Sequence, residues 1–246
     1  MVGDRDLLAF RQGYYDLFVS LLWKEPAGEL LAGLADGIDE RIKAARNVHA
    51  RLGEGWEEIS RVLSDAARGG LAERVAEEYT RLFIGPHGPA VYPYESYYLT
   101  GRLFDRPLAV VRGLLTELAL EKAEGYAEPE DFLAFELEVM RRLIGRQRSV
   151  ADPDAEVHWL NSQATFLKRH LLVWGPTAAR DLSDAEGAVF YRGVGKLLQG
   201  FLDLERDLFN GWGTEELRSL EEARQSFARE EWRGPLVDLH GESAPP

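Results

Sequence analysis

The sequence predicts an all-α protein, a single-domain multi-helix bundle without a sheet. Apolar residues return at helical spacing in every long segment, no period-two run persists, and the linkers are short. In residues 5–24, Leu7, Tyr14, Phe18 and Leu21 share one face with Leu8, Tyr15 and Leu22 beside them, and Pro26 closes the helix. Amphipathic segments follow at 27–35, at 38–52 (Ile38, Ile42, Ala45, Val48, Leu52) and at 56–67 (Trp56, Ile59, Val62, Leu63). The segment 71–84 carries Leu71, Val75, Tyr79, Leu82 and Phe83.

The helical pattern then stops. Pro86, Pro89 and Pro93 with Gly85 and Gly88 forbid a helix, yet Val91, Tyr92, Tyr94, Tyr97 and Tyr98 crowd the same stretch. Helicity resumes with Asp105 as N-cap and Pro107 in the first turn, through Val110, Val111, Leu114, Leu115 and Leu118 to a stop near Gly125. Residues 130–147 repeat it with Phe132, Phe135, Val139, Met140 and Leu143. Residues 154–174 follow, through Val157, Leu160, Ala164, Leu167, Leu171 and Trp174, and Gly175-Pro176 is read as their end. Ser183 with Glu186 reads as a capping box opening a long helix to about 209. The helical domain is therefore placed at 1–213. Residues 214–246 are read as a charged helical extension, over 214–231, and a mobile tail, GPLVDLHGESAPP.

Composition narrows the function. Net charge is −13, from 42 acidic and 29 basic side chains, which disfavours a nucleic-acid partner and suits a basic one. No window approaches the length of a membrane span, and the N-terminus lacks the basic and apolar regions of a secretory signal. With no cysteine, disulfides and thiolate metal sites are excluded, which is compatible with the cytoplasm. The five histidines are scattered, without the H-E-x-x-H or E-x-x-H spacing of metal sites, so no metal or other cofactor is expected. A phosphate-binding loop and a nucleophile elbow around Ser96 are likewise missing. Read as residues alone, His170 serves the end of its helix, Arg141-Arg142 is a solvated pair, and Glu128, Glu130 and Asp131 crowd a helix start where the macrodipole favours them.

Three stretches taken in order say more. Tyr79-x-x-Leu82-Phe83-x-Gly85-Pro86 followed by Pro93-Tyr94-Glu95-Ser96, then Glu128-Pro129-Glu130-Asp131, then Phe166-x-x-x-His170-Leu171-x-x-Trp174, resemble the signatures of the TorD/DmsD/NarJ-like redox-enzyme maturation chaperones. Two departures keep a flat aromatic ring: Phe132 stands where the family usually has histidine, and Tyr94 where it usually has tryptophan. The resemblance implies a cytoplasmic, non-enzymatic chaperone. Its partner would be the catalytic-subunit precursor of a molybdopterin oxidoreductase, whose twin-arginine leader or N-terminal segment it holds until the cofactor is inserted. It also implies the site: Tyr79, Leu82, Phe83, Pro93, Tyr94, Glu95, Ser96, Glu128, Glu130, Asp131 and Phe132 meet the leader, while Gly85, Pro86, His170 and Trp174 support them. A basic, moderately apolar ligand needs a preformed apolar wall with carboxylates at one end. Prolines supply the rigidity, aromatics supply area with few rotors, and Asp131 with Glu128 or Glu130 would take the arginines. Leu82 and Phe83 can serve the core as well. A monomer and a domain-swapped dimer are both compatible with the pattern, and a helical adaptor or a small-molecule binder using the His170 neighbourhood are the competing readings.

Overall fold

A computed structural model of the chain describes residues 2–64, 69–85 and 88–229. The helices are α1 (Arg5–Leu22), α2 (Gly28–Ala35), α3 (Ile38–Val48), α4 (Ala50–Ser64), α5 (Leu71–Phe83), α6 (Glu95–Thr100) and α7 (Arg106–Glu117). They continue with α8 (Leu133–Ser149), α9 (Pro153–Phe166), α10 (Leu172–Asp184), α11 (Phe190–Leu208) and α12 (Leu220–Arg229). A single π turn, Leu167–Leu171, joins α9 to α10. Among the described residues there is no strand, Tyr94 and Phe132 form an isolated bridge, and no helix is long and apolar enough to cross a membrane. The all-α expectation holds. Pro86, the end of the 56–67 segment and the tail beyond 229 lie outside the described residues.

A small cluster of Leu99, Val173 and Ala223 seats α12, and one large hydrophobic core joins most of the helices. α11 lies at its centre between α4 and α10, and α1 packs antiparallel on α8. Glycines set how close the central helices come. A Cβ at Gly55 would lie 2.6 Å from the Leu197 nitrogen, one at Gly193 2.9 Å from the Ile59 nitrogen, and one at Gly195 2.6 Å from the Ala179 oxygen. No side chain fits there.

Buried polar groups tie the periphery to this centre. Arg11 of α1 donates to both oxygens of Glu205 on α11 (Nε–Oε1 2.6 Å, Nη2–Oε2 2.7 Å), and Tyr15 adds its hydroxyl at 2.8 Å. Arg11 also reaches Gln163 of α9, which donates to Gln147 of α8 at 2.7 Å. Such a charge is tolerated inside only because each hydrogen-bonding group is matched.

Caps explain the helix starts. Asp4 and Asp152 accept the N–H groups of Leu7 and Ala155, and Asp105 caps α7 as expected. The start of α11 departs from expectation: Ser183 lies inside α10, and α11 begins at Phe190. Its cap comes from far away, since Glu78 of α5 accepts the N–H groups of Val189, Phe190 and Tyr191 at 2.8–3.0 Å.

Other boundaries shift for tertiary reasons. The 38–52 segment breaks at His49, whose extended backbone lets α4 turn along α11 while α3 folds back on α4. The helix expected to reach Gly125 stops at Glu117, because Arg146 takes the carbonyl oxygens of Leu118 and Ala119 and Ala119 turns left-handed at φ 50°. The segment expected at 130–147 starts at Leu133, so Glu128 to Asp131 precede the helix. Gly175-Pro176 does not end its helix: the run widens into the π turn one turn earlier and carries Pro176 inside α10.

Gly193→Ala should lower stability by about 1–3 kcal/mol in urea unfolding, because the added methyl meets the Ile59 and Gly55 backbone as well as the buried Ile59 side chain. Gly13→Ala, at an open position of α1, should instead raise it by roughly 0.5–1 kcal/mol. Equal behaviour of the two variants would refute the close-approach account.

Candidate functional site

The irregular segment folds back on the helix before it. Gly85 has φ 48°, and a Cβ there would sit 2.3 Å from the Gly88 carbonyl oxygen, so only glycine makes this turn. Val91 then donates to the Leu82 oxygen at 3.0 Å, which returns the chain to the end of α5.

From Pro93 onward this chain is stitched to residues 131–133. The Pro93 oxygen accepts the Leu133 N–H, and the Glu95 N–H donates to the Asp131 oxygen, both at 2.9 Å. Ser96 N–H donates to Asp131 Oδ2 at 2.9 Å. Tyr94 and Phe132 face each other with ring centroids 5.4 Å apart. The second and fourth residues of Pro-Tyr-Glu-Ser thus lie directly on the acidic stretch.

Beneath the stitch lies a polar chain. His170 in the π turn sets Nδ1 2.9 Å from Glu95 Oε2, and both residues are buried. Trp174 donates Nε1–H to Glu136 at 3.1 and 3.2 Å, and Glu136 in turn faces Glu95. Burial, then the charge of Glu95, pushes the Glu136 carboxyl well above the usual glutamate range. A protonated Glu136 can donate to Glu95 and still accept from Trp174. Burial likewise raises the Asp131 carboxyl, against the lowering effect of the Ser96 N–H that it accepts. Asp131 Oδ1, Ser96 Oγ and His170 Nε2 have no partner among the described residues.

The residues expected at the site therefore divide. Leu82, Glu95, Ser96, Asp131, His170 and Trp174 are buried, and they shape the site from within. Asp131, expected to receive an arginine directly, has no exposed surface, because it serves α6 instead. Glu130 is committed to Arg112 at 2.8 Å. Glu128 remains half-buried at the surface and accepts the Tyr94 hydroxyl at 2.8 Å. Phe132 and Pro93 are buried, while Phe83 stays half-buried, edge-on to Tyr191 at 5.3 Å. His170 sits in mid-run, not at a helix end, so its partner is Glu95 and not the helix dipole.

Tyr79 joins through electrostatics: its hydroxyl is pushed up to about 12 by burial, then by Glu128 and Glu25. Tyr126 is raised by burial and by Glu128, and Tyr94 by burial and its bond to Glu128. One carboxylate thus bonds Tyr94 and acts on the hydroxyls of two further tyrosines. Tyr126 escaped the sequence reading, as did Glu136. The available signal for Glu136 was its place on the apolar face with Phe132, Val139, Met140 and Leu143.

Two depressions flank this cluster. A groove of 1290 Å³ runs between α1 and α8, and its near wall is Trp23 stacked on Tyr126 at 4.2 Å. A recess of 990 Å³ is lined by Gly85 and Gly88 with Glu25, Glu77, Glu186 and Arg81 among others. Glu25 lines both.

A family model described as nitrate reductase delta subunit matches residues 46–180. The chain is 32% identical over 149 residues to a protein named chaperone protein TorD from Aeromonas salmonicida, covering 61% of this chain and 65% of that protein. It is 28% identical over 133 residues to the TorD chaperone of Aliivibrio fischeri, covering 53% and 62% of the two chains. With the TorD chaperone of Actinobacillus pleuropneumoniae the figures are 30% over 129 residues, 52% and 60%. These matches span less than two thirds of the relatives' own length.

Glu136→Gln should stabilise the protein, and the gain should grow with pH. A carboxyl whose folded pKa is raised binds its proton more tightly folded than unfolded, so wild-type stability falls as pH climbs from 4.5, the ordinary value, toward the folded one. Glutamine keeps an acceptor for Trp174 and a donor for Glu95 without that liability. Urea midpoints of both proteins between about pH 5 and about pH 8 check this, and a constant difference across that range would contradict a protonated Glu136.

Proposed function

The chain belongs to the nitrate reductase delta subunit family, of TorD/NarJ type, and on that premise we propose that it is a cytoplasmic maturation chaperone for a molybdopterin oxidoreductase. It binds the twin-arginine leader, or a comparable basic and apolar N-terminal segment, of the catalytic-subunit precursor and delays export until the cofactor is in place. It is a binding protein, not an enzyme.

The observation that carries this reading is the surface formed where Pro93–Ser96 meets Glu128–Phe132. There a half-buried tyrosine and an accessible carboxylate share a hydrogen bond, and Tyr79 and Tyr126 stand close enough to feel the same charge. Such a surface matches an arginine followed by apolar residues: the carboxylate takes the guanidinium and the rings take its stem and neighbours. Glu128 is the carboxylate offered outward. Asp131, Glu95, Ser96 and His170 hold the backbone that presents Tyr94, and Leu82 with Trp174 holds them in turn. Phe83 adds a half-buried ring on the α5 side. In a chain of net charge −13, long-range attraction also favours a basic leader.

The test is affinity purification from native cytoplasm with the partner identified by mass, followed by calorimetry with that partner's N-terminal peptide. Tyr94→Ala and Phe83→Ala should each weaken binding by about 1–3 kcal/mol, with circular dichroism confirming that the fold persists. Glu128→Gln should weaken binding and reduce its salt dependence, because it removes a charge that meets the ligand. Asp131→Asn should leave the salt dependence unchanged, since that carboxylate acts through α6. Folded variants that all bind like wild type would overturn the assignment of the site.

A further inference from the structure

The family motifs end at the tyrosine cluster, but the apolar surface does not. Beyond Tyr126 the groove between α1 and α8 continues over Val19, Phe135 and Val139 and ends beneath Trp159. Its direction is set by the antiparallel helices: Arg5 at the start of α1 donates to the Arg148 and Val150 oxygens at the end of α8, while Trp23 after α1 meets Tyr126 near the start of α8.

The two ends differ in charge. At the Trp23 end, Glu25 opens onto the recess with Glu77 and Glu186, and Glu128 lies just past Tyr126; Lys24 and Arg81 offset these carboxylates only in part. Tyr79 feels the charges of both Glu25 and Glu128, so both act on this end of the groove. At the other end Arg146 stacks over Trp159 at 4.9 Å and, among the described residues, pairs with the carbonyl oxygens of Leu118 and Ala119; Glu121 also lines the groove but forms no ion pair with it, so Arg146 keeps its charge. The middle is neutral overall, because Arg141 and Arg142 are both held by Glu138 and Arg141 also by Asp16.

We propose that this groove is the track for the apolar run of the bound segment, and that its polarity fixes the direction of binding: basic residues at Glu25 and Glu128, the following apolar residues over Val19 and Val139, and the far end under Trp159. The inference rests on the proposed leader-binding function and adds a direction and a second, apolar subsite on α1 and α8. A segment with positive charge at its beginning and apolar residues behind it is opposed in the reverse orientation by Arg146 at one end and by unmatched carboxylates at the other.

Gly145 makes the test clean. It lines the groove on α8, and no atom lies within 4 Å of the Cβ position there. Gly145→Trp therefore fills the track without displacing the core, and replaces a glycine that is unfavourable inside a helix. Gly13→Trp, equally open on α1 but outside the lining, adds the same bulk elsewhere.

The probe is a synthetic peptide with two adjacent arginines followed by an alanine-leucine run, bearing a photo-crosslinker at either the basic or the far end. Wild type and Gly13→Trp should bind alike, and Gly145→Trp at least about tenfold more weakly. The basic-end crosslinker should label the tryptic peptides around Glu25 or Glu128, and the far-end one those around Trp159. Equal binding to Gly145→Trp, or a reversed crosslinking pattern, overturns this inference and leaves the leader-binding reading standing. If wild type binds neither this peptide nor the native N-terminal segment, the leader-binding reading falls and this inference with it. Sedimentation that shows wild type dimerising through this face, and Gly145→Trp monomeric, would make the occupant a second copy and also overturn it.

Discussion

The carboxylate of Glu95, buried against His170, is the contact on which the site depends. A buried carboxylate is costly unless its oxygens are matched, so Glu95 stays inside only while the π turn presents the imidazole and Glu136 presents its proton. That requirement places the first turn of α6. Once α6 is placed, Asp131 can hold the Ser96 N–H, Pro93 and Leu133 can pair, and Tyr94 comes to rest on Phe132 with its hydroxyl at Glu128. The exposed chemistry is the outer edge of an inward polar network.

The rest of the molecule gives that network a rigid support. The glycine seam brings α4, α10 and α11 to backbone contact, and the Arg11–Glu205 pair locks α1 to α11 and, through Gln163 and Gln147, to α9 and α8. α12 extends the support outward: Arg224 donates to the Tyr98 oxygen, and Arg106 to the Phe227 oxygen, so the last described helix braces the end of α6. A surface mounted this way loses little freedom when a ligand arrives, which favours affinity.

Acidic residues are abundant, and their fates separate their roles. Glu78, Glu95, Asp131, Glu136 and Glu205 are buried and organise helices. Glu130 and Glu138 are neutralised by arginines at the rim. Glu25 and Glu128 are the carboxylates that the proposed function assigns to a cation from outside. Net charge alone does not distinguish these groups, because all of them contribute to the long-range field whatever their local partners.

Helical periodicity determined the fold class and most of the core, because a helix writes its buried face into local spacing: Leu8, Tyr15, Phe18, Val139, Met140 and Leu143 were all legible that way. The motif order likewise singled out stretches that the fold brings together, with Pro93–Ser96 against Asp131–Leu133. Tertiary structure decided what spacing cannot encode. Glu78 caps α11 from 111 residues away, Arg146 ends α7 across the bundle, and the π turn carries the chain past Pro176. It also decided which carboxylate faces out, since Asp131 and Glu128 look alike in sequence and differ only in what packs over them. Local pattern reports which face of a helix is apolar, whereas the partner of a charge depends on contacts made between segments far apart in the chain.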